Sequence, residues 1–167
     1  MPITPFHFGP GALLHAAAPR YVSFLAFCAA NVLIDGESLY NLVNRRYPVH
    51  AFLHTYIGAT LVALLVVGSF VALLRLAPHL RLPNKLGWRA LTVPQVALGA
   101  VSGAYSHVAL DSLMHRDIQP LAPLSAGNPL LGLISLGTLH WACIVAGALS
   151  LAGLGVRKLL ASNRNAA

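Results

Sequence analysis

Residues 51–74 read AFLHTYIGATLVALLVVGSFVALL, 24 consecutive positions without an Asp, Glu, Lys or Arg. A helix rising 1.5 Å per residue crosses about 30 Å of hydrocarbon in roughly 20 residues, so this stretch predicts a membrane-spanning helix. Residues 91–110 form a second uncharged run, with Pro94 near its start. Residues 118–156 form a third, in which Pro120, Pro123 and Pro129 require a loop before the helix begins. The composition agrees. At 57% hydrophobic, 9% charged and a mean hydropathy of +0.70, the chain has too little polar surface to cover a soluble globule of its size.

Upstream of that run, Pro19 and Arg20 interrupt the apolar sequence, which predicts two shorter helices, near 5–18 and 21–40. The first would cover only about 21 Å, so it is either tilted into thinned bilayer or paired with its neighbour as a re-entrant hairpin. The N-terminus has neither the basic start nor the small-residue cleavage site of a signal peptide, and the segment is expected to be retained as structure. The expected fold is therefore all-α: an integral membrane helical bundle of one domain, with about four full transmembrane helices plus the short N-terminal one. The helices are placed near 5–18, 21–40, 51–75, 92–115 and 129–157.

With five segments the connections alternate sides. Arg20, Arg75, Arg81, Lys85, Arg89, Arg157, Lys158 and Arg164 fall on one side, and Arg45, Arg46 and Arg116 on the other, eight against three. The positive-inside rule puts the eight in the cytoplasm and the sparse side in the periplasm or exterior, for a multi-pass protein of a bacterial inner membrane. The net charge of +7 then reflects topology and contact with anionic headgroups rather than nucleic acid.

Only four residues are acidic, Asp35, Glu37, Asp111 and Asp117, and three of them sit at or inside apolar stretches close to histidines. A carboxylate there is costly unless it is paired or bound to a cation. On the five-segment map His7 opens the first helix, Asp35 and Glu37 close the second, His50 and His54 open the third, and His107, Asp111 and His115 finish the fourth. All fall on the outer side, although the map was drawn from Lys and Arg alone.

Spacing adds detail. His50 and His54 are i, i+4, which on a helix stacks two imidazoles on one face, as paired zinc ligands require. His107, Asp111 and His115 repeat that step, drifting about 80° while climbing about 12 Å, too far for one ion to touch all three. Either His107 and Asp111 form one pair with His115 outside it, or Asp111 bridges two ions, each with its own histidine. Asp35 and Glu37, two apart, would not face the same way on a continuing helix, so the helix is expected to end or unwind at Gly36. Mixed imidazole and carboxylate ligation favours one or two Zn2+ ions and also suits Mn2+ or Fe2+.

Other residues read more plainly. His15 and His140 suit helix-to-helix hydrogen bonds, His79 a solvated basic loop, and Asp117 a local ion pair with Arg116. Cys28 and Cys143 read as small core residues, and Gly99-x-x-x-Gly103 as a signal for close helix packing.

Four segments together carry a resemblance: Phe6-His7-Phe8-Gly9, Ile34-Asp35-Gly36-Glu37, His50-Ala51-Phe52-Leu53-His54-Thr55 and Ser106-His107-Val108-Ala109-Leu110-Asp111. In order and spacing, over about residues 5–125, they resemble the motifs of the bacterial YdjM-like inner-membrane metal-dependent hydrolases. Those motifs are an N-terminal His, an Asp-x-Asp after the second helix, His-x-x-x-His followed by Ser or Thr, and His-x-x-x-Asp. That family is in turn similar to zinc-dependent phospholipase C and related nucleases, with zinc ions held by His and Asp. The chain departs from the pattern at Glu37, where the family usually has Asp, and at Gly36, where it has an apolar residue. Leu33 or Ile34 stands where a Pro often precedes the acidic motif, and His115 lies outside the pattern.

The reading that follows is a membrane-embedded metal-dependent hydrolase acting at the outer face on a phosphoester or other ester of a lipid or lipid-linked substrate. His7, Asp35, Glu37, His50, His54, His107, Asp111 and His115 are the candidate ligands. Whichever of Asp35 and Glu37 is not a ligand is the candidate general base, and Arg45, Arg46 and Arg116 are candidates for holding the substrate's negative charge. The alternatives are a metal-ion or proton transporter, in which His15 and His140 would have to continue a polar path, a haem protein, and a non-catalytic metal-binding membrane protein.

Overall fold

The structure, a computed structural model, describes residues 5–166. Among them lie five α-helices and no strand: α1 (Pro5–Ala17), α2 (Phe24–Val43), α3 (Tyr56–Leu80), α4 (Val93–Ser112) and α5 (Leu136–Ala166). Single 3-10 turns at Phe52–His54 and Trp88–Ala90 precede α3 and α4.

The starts of α2, α3 and α4 are set by side-chain caps that satisfy a backbone N–H left free by helix geometry. Ser23 accepts from Ala26, Thr55 from Gly58, and Thr92 forms a reciprocal capping box with Gln95. These caps move the boundaries from those read in the sequence. The second helix runs 24–43 rather than 21–40. The third begins at Tyr56 rather than residue 51, because His50–Thr55 is held outside the helix, and it continues through Arg75 to end on Arg81 in a left-handed conformation (φ 48°). The fourth ends at Ser112 rather than residue 115. The fifth begins at Leu136 rather than residue 129, because Asn128 Nδ2 donates to the carbonyls of Ser112 (2.9 Å) and His115 (3.3 Å) and ties the loop to the end of α4.

The core is a three-helix seam with α4 packed against both α2 and α3, built from small and branched residues such as Ala30, Ile34, Ala59, Val62, Ala100, Ala104 and Val108. The Gly99-x-x-x-Gly103 pair lies in it. A Cβ at Gly99 would collide with the Ser23 carbonyl oxygen and one at Gly103 with that of Phe27, so α2 and α4 meet backbone to backbone. This close approach brings Asn31 of α2 beside α4, one turn before His107. α1 packs mainly against α5, where Gly9 abuts the Cys143 backbone.

Successive helices run in opposite directions. Gln95 Nε2, at the start of α4, donates to the Arg20 carbonyl (2.9 Å), while His7 of α1 meets Asp111 near the end of α4. One end of the bundle therefore carries segments 44–55 and 113–135, and the other carries segments 18–23 and 81–92.

Two helices among the described residues, α3 and α5, are long and apolar enough to cross a membrane. The sequence reading counted four spans, and α2 and α4 do not reach that apolarity. Both are 20 residues long, about 30 Å, but Asn31, Asp35 and Glu37 in one and Gln95, His107 and Asp111 in the other lower their hydropathy. α3 and α5 turn most of their side chains outward, with Leu64, Leu65, Leu149 and Leu151 each more than half exposed.

Candidate metal centre

At the end carrying segments 44–55 and 113–135, the polar residues of four elements meet. α1 contributes His7, α2 contributes Asn31, Asp35, Glu37 and Ser38, the turn before α3 contributes His50 and His54, and α4 and the turn after it contribute His107, Asp111 and His115. His54, His107 and Asp111 have no solvent-exposed surface at all. Burying an ionised carboxylate costs several kcal/mol unless other groups compensate. The arrangement around Asp111 is thus where compensation has to be found.

Asn31 decides how His107 is protonated. Its Nδ2 donates to the Phe27 carbonyl at 2.8 Å and approaches that of Gly103 at 3.4 Å, which turns its Oδ1 to His107 Nδ1 at 2.9 Å. A carbonyl oxygen only accepts, so the hydrogen is on His107 Nδ1. His7 Nδ1 lies 3.1 Å from that same nitrogen, and its Nε2 is 3.1 Å from Asp111 Oδ1. In a neutral ring, His107 Nε2 then carries a lone pair, and it faces Asp35 Oδ1 at 3.3 Å and Asp111 Oδ2 at 3.4 Å. His54 Nε2 approaches Asp111 Oδ2 at 3.5 Å.

Electron-rich atoms at these separations repel unless a cation or proton lies between them. His54 Nδ1, His107 Nε2 and both Asp111 oxygens are buried without a hydrogen bond of good geometry. Ligands bonded at about 2.0–2.1 Å to a tetrahedral ion lie roughly 3.3 Å apart, close to the spacings observed. Asp35, His54, His107 and Asp111 form a buried group that could hold a metal ion.

A second group that could hold an ion consists of His50, Asp111 and His115. The His50 and His115 rings stack with centroids 4.2 Å apart. Asp117 sits behind His50, its carboxylate accepting from the Val49 and His50 backbone N–H groups at 3.0 and 3.1 Å and from His50 Nδ1 at 2.9 Å. This fixes the hydrogen on Nδ1 and leaves the Nε2 lone pair available to a ligand, the arrangement that a carboxylate behind a metal-binding histidine provides. His50 Nε2 and His115 Nε2 are both buried without a hydrogen bond.

Charge follows the same layout. Burial holds the His50 ring below its ordinary pKa, outweighing the opposing pull of Asp117. Burial, helped by neighbouring His50, does the same to His115. Burial opposes ionisation of Asp117, but its hydrogen bonds from His50 prevail and keep its carboxyl below the ordinary range. Burial likewise opposes a charge on His54, yet Asp111 and Glu37 prevail and raise it, so positive charge is favoured at the inner group.

No protein-family model, curated protein or solved structure matches the chain.

Several placements differ from the sequence reading. α2 does not unwind at Gly36; it continues to Val43, and the faces of Asp35 and Glu37 diverge to different tasks. Asp35 reaches His107, while Glu37 accepts from the Phe52 and Leu53 N–H groups (3.1 and 2.7 Å), with Oε2 3.8 Å from His54 Nδ1. His50 and His54 do not share a helix face. His54 ends a 3-10 turn that Glu37 caps, and their rings meet edge to face at 4.8 Å. Asp117 serves His50 rather than a local pair with Arg116; the signal available in sequence was its place two residues beyond His115. Asn31 and Ser38 were also missed, since a lone Asn or Ser in a helix carries no spacing pattern. Arg46 lies over the Tyr40 ring, Arg45 occupies a left-handed turn (φ 53°), and Arg116 lines a cavity with His115. His15 Nδ1 donates to the Val22 carbonyl (2.7 Å), His140 stacks on Phe6, and His79 is exposed.

Proposed function

We propose that this chain is a multi-pass protein of a bacterial inner membrane and a metal-dependent hydrolase of phosphoester or other ester bonds in lipid or lipid-linked substrates. The observation that carries the reading is the crowding of imidazole nitrogens and carboxylate oxygens on buried Asp111, a donor set that a metal ion would satisfy in place of ring protons. The resemblance of four ordered segments to the YdjM-like hydrolases supports it, as does the outward apolar surface of α3 and α5. In this reading α2 and α4 also span the bilayer, their polar residues turned to the shared site, and the end with Arg45, Arg46 and Arg116 faces the periplasm.

Asp35, His54, His107 and Asp111 would hold one ion, and His50, His115 and Asp111 a second, with zinc the best match to these donors. Bound there, a divalent ion supplies Lewis acidity and makes water a nucleophile near neutral pH. The chain's own groups prepare that chemistry. Asn31 and His7 hold the His107 ring, Asp117 holds His50, and Glu37 holds the turn bearing His54. Glu37 lies outside both ligand groups, and two N–H donors leave about half of its carboxylate lone pairs free, so it is the candidate proton acceptor.

The test is turnover of a panel of phospholipids and isoprenoid phosphates by the purified protein, with and without chelator. The reading expects release that chelator abolishes and that Asp111→Asn lacks. Turnover indifferent to both, or none across the panel by metal-loaded protein, overturns it.

A further inference from the structure

His115 of the second group lines a cavity of about 710 Å³ at the corner between α4 and α5. His115, Arg116, Ser135 and His140 bring polar groups to it, and Leu131 and Ile134 are among its apolar lining. Among the described residues Arg116 is the one fully charged side chain lining it, and no carboxylate does. The other approach to this group, a cavity of about 390 Å³ beside His50, contains Asp117 and is unsuited to an anion.

A groove of about 470 Å³ lies along α1 and α5, lined by Phe6, Phe8, Ile144, Ala148, Leu151 and Leu154 among others. Its α5 residues, from Cys143 to Leu154, span about 16 Å of helix. The polar cavity and the apolar groove are neighbours. Phe6 lines the groove, His140 lines the cavity, and their rings stack with centroids 4.5 Å apart. A charged compartment beside the metal group thus adjoins an apolar one running down the bundle, and both volumes fall in the range of small-ligand sites.

We infer that the cavity at the α4–α5 corner binds the anionic, phosphate-type head of an amphiphile against Arg116 and His140, with its apolar tail in the groove between α1 and α5. Arg116 engages two oxygens through its planar fork, and His140, whose ring stacks on Phe6, is the second donor lining the cavity. The inference deepens the hydrolase reading and rests on it for the reaction, but the binding it describes needs no turnover.

The experiment is calorimetric titration of the full chain, in an uncharged detergent at fixed concentration, with dodecyl phosphate, ethyl phosphate and dodecyltrimethylammonium. Each titration is run with and without chelator, and metal content is measured separately. Dodecyl phosphate is expected to bind more tightly than ethyl phosphate, and dodecyltrimethylammonium not to compete. Arg116→Gln should weaken dodecyl phosphate by about tenfold or more, the scale of a charge-assisted hydrogen bond, with metal content unchanged. Ala148→Trp, which fills the groove from an exposed position, should weaken dodecyl phosphate and spare ethyl phosphate. Equal binding by Arg116→Gln and the unaltered chain overturns the head assignment. Ethyl phosphate binding as tightly as dodecyl phosphate overturns the tail assignment and points to free phosphate. Binding that depends on Arg116 and persists in chelator supports the pocket even where the metal reading fails.

Discussion

The two ligand groups that meet at Asp111 are built in different ways. The inner group draws Asp35, His54 and His107 from α2, a capped 3-10 turn and α4, and its imidazoles are wholly buried. Its geometry is imposed by the backbone contact of α2 with α4, and His107 is fixed by Asn31. The outer group takes His50 and His115 from turns, orients His50 through one carboxylate, and borders a cavity. Helix packing backed by buried hydrogen bonds holds the first, and hydrogen bonds to Asp117 hold the second. The inner group should therefore bind its ion tightly and tolerate little change, whereas the outer one should exchange its ion and meet the substrate.

Removing an inner ligand should have the largest effect. His107→Ala opens a buried cavity, strands Asn31 and leaves Asp111 less compensated. It is expected to lose the inner ion and to destabilise the fold by about 2–4 kcal/mol, measured by metal analysis and by denaturation in detergent. Unchanged metal content and melting would show that the inner group is not a site. His115→Ala should be milder: the outer ion and turnover are lost, while the inner ion and the melting temperature stay near those of the unaltered protein. Loss of both ions together would mean that the two groups are a single unit.

Asp117→Asn sharpens the contrast further. The amide keeps the shape but weakens the hold on His50 Nδ1–H, so affinity at the outer group should fall about 10–100-fold, with the inner group untouched. Competition with a metal indicator measures it. His79→Ala lies in the exposed last turn of α3 and should change none of these quantities.

Much of this was legible in the sequence, for identifiable reasons. The uncharged run over 51–74 is a helix signal that tolerates little ambiguity, and His-x-x-x-Asp on α4 keeps its spacing because α4 is regular there. The option that Asp111 serves two ions, one with His107 and one with His115, follows from rise per residue along α4. What could not be read was tertiary. His50 and His54 leave the helical path because Glu37 caps their turn from a distant helix. Asp117 turns away from its neighbour Arg116 because the Val49 and His50 N–H groups offer a better-defined partner set. Asn31 matters only because glycines bring α4 against α2.

The central claim is that Asp111 is shared by two metal-binding groups, and metal stoichiometry tests it most directly. Elemental analysis of the purified chain and of Asp111→Asn, after equal exposure to zinc and removal of loosely bound ion, should find up to about two ions per unaltered chain and near none in the variant. Equal metal content in the two proteins, with both folded, would contradict it.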